Sequence, residues 1–222
     1  VTNASMHFIY VNNAAFAAAG VTVDTPDPPS GFFVRAGGRL TGVVGEANGI
    51  LAIARAMPQK SPADFASALR LIMNTAAERG VTSMREASTG NLMGVNEVGL
   101  LHQINAAAML PTRITTAQTS LVPNATWAEA GVVPGFGDDM VRAVAWKVIG
   151  DGSNQGRSAY LREAYLGRMG EFGMINFTLD QIKAYIHEGH DARWQVLVHA
   201  NGGAAPDGIP TAYEGVLAGV TP

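Results

Sequence analysis

The chain has 222 residues, 47% of them hydrophobic and 15% charged, with a formal net charge of −3. That balance marks a packed globular protein and excludes a disordered one, and the absence of any basic run leaves no electrostatic basis for binding nucleic acid or an anionic membrane surface. There is no cysteine, so a disulfide framework and a thiolate metal site are both excluded, and no apolar run reaches the length of a membrane span.

At the N-terminus, Phe8-Ile9-Tyr10-Val11 is a small apolar element, and the alanine-rich run Ala14 to Ala19 predicts a short helix stopped by Gly20. His7, just ahead of it, reads by itself as a surface or turn histidine. Pro26, Pro28 and Pro29 bar helix and central strand alike, which predicts an extended loop over 25–31. Phe32 to Arg35 and Leu40 to Val44 are short strands around a hairpin at Ala36-Gly37-Gly38-Arg39. Residues 1–60 therefore read as an insertion subdomain of short strands and a small helix.

The pattern changes at residue 61. Ser61-Pro62-Ala63-Asp64 has a capping serine, a proline at the first helical position and an acid in the first turn. Phe65, Leu69, Ile72 and Met73 follow at helical spacing, and Gly80 ends the helix. Val81 to Ala87 predicts a strand ending at Ser88-Thr89-Gly90. Residues 94–109 predict a helix with Val95, Val98, Leu101, Ile104 and Ala108 on one stripe; His102 is off it and is expected in solvent. Arg113 to Thr119 is the next strand. Trp127 to Ala130 predicts a helical turn, 131–137 a loop and Asp138 to Ala143 a further turn.

The next strand, Val144-Ala145-Trp146-Lys147-Val148-Ile149, ends at Gly150-Asp151-Gly152. Ala159 to Met169 has helical composition. Thr178-Leu179-Asp180-Gln181 is a second capping box, with Ile182, Tyr185 and Ile186 on the apolar face behind it. His187 and His190 sit at that helix's C-terminal end, where solvated cations favour the helix dipole. Trp194 to Ala200 is the last strand, and a helix over Ala212 to Leu217 follows. Alternation of this kind argues for an α/β fold with a parallel sheet. A (β/α)8 TIM barrel takes roughly 250 residues for its eight units. Residues 61–222, with four strands, read as βα units of a partial (β/α)8 TIM barrel.

Two strand ends carry chemistry. Burial disfavours the charged form of Lys147, so the lysine must be paired, used or neutralised. It can pair with Asp151 or Glu86, form a Schiff base with a carbonyl, or be carbamylated, which turns a cation into an anionic metal ligand. His199 closes an apolar strand ahead of Ala200-Asn201-Gly202-Gly203. It is either a hydrogen-bonded core residue or a zinc ligand at the rim of the sheet.

Several stretches resemble, in order, the middle segment of the amidohydrolase family 3 proteins. They are Ser5-Met6-His7, Val11-Asn12-Asn13-Ala14-Ala15-Phe16, Ala19-Gly20-Val21, Asp24 to Pro29 and Thr41-Gly42-Val43-Val44-Gly45-Glu46. The likeness continues through Gly80-Val81-Thr82-Ser83, Trp146 to Ser153, Arg157-Ser158-Ala159 and Val196 to Gly202. These are metal-dependent hydrolases that include N-substituted formamide deformylase.

The resemblance implies a (β/α)8 barrel with one or two divalent metal ions, zinc being the expected one, and hydrolysis of an amide-like C–N bond by metal-activated water. By position, Lys147 looks like the family's strand-four lysine, carbamylated where it bridges two metals, and His199 like its strand-five metal histidine. His7 and Asp151 match positions expected to contact a small-molecule amide-like substrate. No residue is assigned as the catalytic acid or base.

The departures are as informative. No two of the histidines, His7, His102, His187, His190 and His199, are two apart, so the family's His-x-His pair is absent. The later histidine and aspartate ligands are missing too, and Asn201-Gly202-Gly203 stands where relatives often carry Gly-Asp. The chain opens at Val1 in mid-pattern and shows no signal peptide. The expectation is a fragment, inactive by itself and cytoplasmic. Two alternatives stand beside it: a lysine Schiff-base lyase or aldolase on a similar barrel, and a non-catalytic truncated barrel whose open sheet edges drive it into a homo-oligomer.

Overall fold

The computed structural model describes residues 1–58 and 61–218. The ends of the two expected domains, Gln59-Lys60 and Gly219 to Pro222, lie outside the described residues. The chain divides into two compact units. One comprises Val1–Pro58, Ile149–Lys183 and Val198–Pro222; the other comprises Gln59–Val148 and Ala184–Leu197.

The first unit begins with β1 (Phe8–Tyr10), α1 (Asn13–Ala18), β2 (Phe32–Ala36), β3 (Arg39–Gly45) and α2 (Glu46–Ala54). β3 lies between β1 and β2 and runs antiparallel to both. The expected hairpin is there, with Gly37 and Gly38 at φ 54° and 71°, values that glycine reaches without steric cost. The Asn12 side chain caps α1 by accepting from the Ala15 amide at 3.0 Å. Phe16, Val21, Phe33, Val44 and Ile53 form the core, with Phe33 and Val44 directly opposite each other across β2 and β3.

Helix α2 has no counterpart in the sequence reading. An Asn48-Gly49 pair, ordinarily a turn signal, lies inside it. Gly49 is there because the Phe32 backbone passes so close that a Cβ would sit 3.1 Å from the Phe32 nitrogen.

The expected helix over Ala159–Met169 does not form; that stretch is a looped excursion of turns. The Tyr165 amide, which a helix would pair with the Leu161 carbonyl, donates instead to the Glu171 carbonyl at 2.9 Å. Gly167, Gly170 and Gly173 all take positive φ. Leu166 and Met169 are almost fully exposed, so burial gives no apolar face to pay for helix nucleation. α7 (Ile209–Leu217) forms where a helix is expected, burying Ala212 and Val216.

The second unit carries α3 (Pro62–Ala77), β4 (Ser83–Thr89), α4 (Asn96–Ala107), β5 (Arg113–Thr119) and α5 (Asn124–Glu129). β6 (Val141–Ile149), α6 (Leu179–Asp191) and β7 (Gln195–His199) cross the division between units. The sheet order is β4-β5-β6-β7, with β4 and β5 both parallel to their next neighbour. Successive strands are therefore adjacent, as the alternating pattern implies, and the fold is mixed α/β with a parallel sheet.

Both capping boxes form. Ser61 Oγ accepts the Asp64 amide at 3.1 Å and Asp64 accepts the Ser61 amide at 3.2 Å; Thr178 and Gln181 do the same at the start of α6. Met73, Leu101, Ile104, Leu110, Ile114 and Val141 make the core beneath α3 and α4. Ile72, assigned to the apolar face of α3, is instead 58% exposed.

Two local readings change. The turn expected over Asp138–Ala143 ends early, because Asp138 Oδ1 accepts the Met140 and Val141 amides at 2.7 and 2.8 Å and β6 starts at Val141. His102 is only partly solvated: its ring stands edge-on to Phe136 at 5.2 Å, and its Nε2 is buried.

Candidate functional site

In the first unit a buried carboxylate joins elements far apart in sequence. Glu46, the first residue of α2, is 1% exposed. Its Oε2 lies 2.8 Å from Nδ1 of His7, and its Oε1 accepts the Ser158 hydroxyl at 2.6 Å. Ser158 Oγ in turn accepts the Ser153 amide at 2.9 Å.

Glu46 has φ 60°, a left-handed conformation that costs a non-glycine residue about 1–3 kcal/mol. The surroundings hold it there: its amide donates to the His7 carbonyl at 2.8 Å, so Glu46 grips His7 by main chain and side chain together. Gly152 leaves the space this requires, since a Cβ there would overlap Ser158 Oγ and come within 2.7 Å of Glu46 Oε1.

The loop after β6 meets the loop after β7 through Asp151, which is fully buried. Its Oδ2 accepts the Tyr160 amide at 3.0 Å and the Gly202 amide at 2.7 Å, and its Oδ1 accepts the Asn201 amide at 2.8 Å. Both carboxylate oxygens are thus engaged by backbone donors.

His199, at the end of β7, has Nε2 3.1 Å from the Gly152 carbonyl and 3.6 Å from Asp151 Oδ1. A carbonyl only accepts, so Nε2 carries a proton. The His7 and His199 rings lie 5.3 Å apart, tilted by 34°. The structure therefore brings together three of the four sequence-predicted residues, His7, Asp151 and His199. Glu46 and Ser158 join them, and no role had been assigned to either. Both lie in the stretches that carry the family resemblance, but nothing local marks them as partners. The one signal is an acid ending an apolar strand.

Lys147 belongs to the second unit. Burial pulls its ammonium below the ordinary lysine value, and the Glu86 carboxylate pushes the other way. Of the two partners expected from sequence, Glu86 is the one whose charge acts on it. Crowding by protein raises the Glu86 carboxyl above its usual range, and Glu97 adds to this; Thr89, Ser88 and Lys147 act in the opposite direction. The Thr89 hydroxyl donates to Glu86, and Glu97 ties down the following turn by accepting from Gly90, Leu92 and Met93.

A divalent ion such as zinc takes three or four protein ligands. Among the described residues no group of three or more His, Asp or Glu side chains is arranged to hold one. Asp151 is committed to backbone amides, and Glu46 to His7 and Ser158. The donors present are pieces of a ligand set and do not fit a complete metal site.

The Amidohydrolase family model matches residues 1–221. Among curated proteins the chain is similar to "Putative amidohydrolase YtcJ" of Bacillus subtilis (strain 168), at 26% identity over 212 residues, which is 94% of this chain and 39% of that protein. Among solved structures it is similar to an uncharacterized metal-dependent hydrolase from Pyrococcus horikoshii OT3, with TM-score 0.68 and 16% identity over 95% of this chain and 40% of that one. A second, from Pyrococcus furiosus, gives TM-score 0.67 and 18% identity over 95% of this chain and 42% of that one. The chain spans about two fifths of the length of these relatives. With a family match running over nearly every residue, the chain belongs to the amidohydrolase family.

Proposed function

We propose that this chain is part of a metal-dependent amidohydrolase that cleaves an amide-like C–N bond in a small molecule. The reading rests on one observation: the family match covers residues 1–221 and so includes Lys147, His199, His7 and Asp151 together. In this reading the sheet β4 to β7 is a portion of a (β/α)8 barrel. Lys147, once carbamylated, and His199 are the ligands this chain contributes toward one or two divalent ions, zinc foremost. The remaining ligands come from sequence beyond these residues. His7 contacts substrate, and Asp151 shapes the rim by holding the loop after β7. A cytoplasmic location belongs to the same proposal and is checked by cell fractionation.

The depressed Lys147 value supports carbamylation. Carbon dioxide reacts with a neutral amine: the N–C bond forms and the displaced proton goes to solvent. Labelling with 13C-bicarbonate should give a carbamate signal that Lys147→Gln removes. The same observation favours a second reading, a Schiff base on Lys147, which borohydride in the presence of a carbonyl substrate would trap.

The deciding experiment compares the full-length gene product with these 222 residues on a panel of amides, with metal content measured by elemental analysis. The full-length protein is expected to hydrolyse at least one amide and to hold metal. Lys147→Ala and His199→Ala should each lose more than the roughly 10–100-fold that removal of an outer-shell partner costs. The 222-residue chain is expected to show no turnover. Metal-dependent hydrolysis by that chain would overturn the view that it holds only part of the site. A stable homo-oligomer with neither metal nor activity at full length would instead favour a non-catalytic, self-associating protein.

A further inference from the structure

We propose that Glu46 is a positioning residue for His7: it fixes the imidazole in the tautomer with its proton on Nδ1, so that Nε2 presents a lone pair to an N–H of the substrate. This rests on the reading of His7 as a substrate contact and narrows the substrate class to amides that retain an N–H.

The direction of each hydrogen bond follows from the one before it. The Ser153 amide can only donate, so Ser158 Oγ accepts it at 2.9 Å. The Ser158 proton is then committed to Glu46 Oε1, at 2.6 Å. A carboxylate oxygen accepts, so the contact between Oε2 and His7 Nδ1, at 2.8 Å, places the proton on that nitrogen. Glu46 is 1% exposed, so water does not compete for either oxygen.

The His7 carbonyl accepts the Glu46 amide at 2.8 Å, which fixes the base of the side chain as well as its ring. Met6, with φ 63°, and the bond from the His7 amide to Ser5 Oγ at 3.3 Å shape the turn that delivers the ring. The His7 side chain keeps 16% exposure, against 1% for its carboxylate partner. One end of the imidazole is thus buried in protein while the ring retains solvent contact. A carboxylate holding an imidazole in one tautomer is the orienting arrangement found in hydrolytic triads.

An Nε2 lone pair accepts and cannot donate. It suits the N–H of a primary or secondary amide, a formamide or a carbamoyl group. A fully N-substituted amide offers it nothing.

The test uses the 222-residue chain labelled with 15N-histidine, in long-range proton–nitrogen spectra at a pH where free imidazole is neutral. His7 is expected to show a protonated Nδ1 and a bare Nε2, the reverse of the tautomer that a free histidine side chain prefers. Glu46→Gln keeps the shape, but its amide NH2 would face Nδ1, so the ring must accept there and move its proton to Nε2. Glu46→Asp, which withdraws the carboxylate, should also return the ring to the Nε2 proton. A wild-type His7 protonated on Nε2, or on both nitrogens, overturns the proposal, and so does a tautomer unchanged in both variants. The wild-type spectrum decides even where a variant fails to fold.

In the full-length protein, Glu46→Gln should lower kcat/KM about tenfold for a secondary amide, the factor that corresponds to about 1.4 kcal/mol. It should act mainly through KM, and the wild-type protein should cleave the N-methylated analogue, which has no N–H to offer, about tenfold less well than the secondary amide. Equal kcat/KM of the wild-type protein on the two amides overturns the assignment of the substrate class. Absence of any amide hydrolysis at full length counts against the proposed function, while the tautomer result still judges the pairing of Glu46 with His7.

Discussion

Replacing Asp151 tests whether its carboxylate is a structural clamp. Asp151 is fully buried and accepts three backbone amides, at 2.7, 2.8 and 3.0 Å. In Asp151→Ala all three donors lose their partner. The Gly202 amide belongs to a buried residue and bears the full cost of an unsatisfied donor, about 1–3 kcal/mol. Tyr160 is half-buried and should lose about 1 kcal/mol. Asn201 is exposed, so its amide can turn to water, at a cost of about 0.5 kcal/mol. The sum is about 2.5–4.5 kcal/mol. At about 2–4 °C per kcal/mol for a chain of this size, Tm should fall by about 5–18 °C. Asp151→Asn keeps one acceptor oxygen but turns an NH2 group toward a donor, so about 2–3 kcal/mol is expected. Urea and thermal melts of both variants measure this. If both variants stay within about 1 kcal/mol of wild type while the full-length protein loses activity, the clamp reasoning is wrong and Asp151 acts on substrate directly.

Three further outcomes are expected. Gly152→Ala drives a methyl into Ser158 Oγ and close to Glu46 Oε1. Overpacking of this kind costs about 1–3 kcal/mol, and it should disturb the His7 environment, read by the same melts and by His7 chemical shifts. Ser61→Ala removes the capping box of α3 and should cost about 1 kcal/mol by urea denaturation. Asp138 accepts the Val141 and Met140 amides, which hold its carboxyl below the ordinary aspartate value. Its contribution is therefore complete above the unfolded carboxylate range and lost as pH falls through the lower folded value. Asp138→Ala should flatten that part of the acid limb of a stability–pH profile and leave its alkaline side unchanged.

Much of the architecture is legible in local pattern. Ser61 and Thr178 mark helix starts because their caps are satisfied within one turn. β6 and β7 are legible because apolar runs end at turn residues. Failures occur where distant groups override local preference. Helix α2 forms across Asn48-Gly49 because Gly49 must admit the Phe32 backbone. Ala159–Met169 stays irregular because the Glu171 carbonyl takes the Tyr165 amide that a helix would pair with Leu161. His102, off its helix stripe, is covered by Phe136 from a loop whose position no periodicity encodes.

The candidate site divides in the same way. From sequence alone come the residue types at the strand ends, Lys147 and His199, the family likeness, and the absence of a full set of metal ligands. Tertiary structure alone decides which polar groups meet. Glu46 is 39 residues from His7 and 112 from Ser158, and Asp151 is 50 from Asn201. Once folding removes water from a buried carboxylate, every donor within reach becomes a partner it must take. Which donors those are depends on how the chain returns on itself, and no local spacing records that.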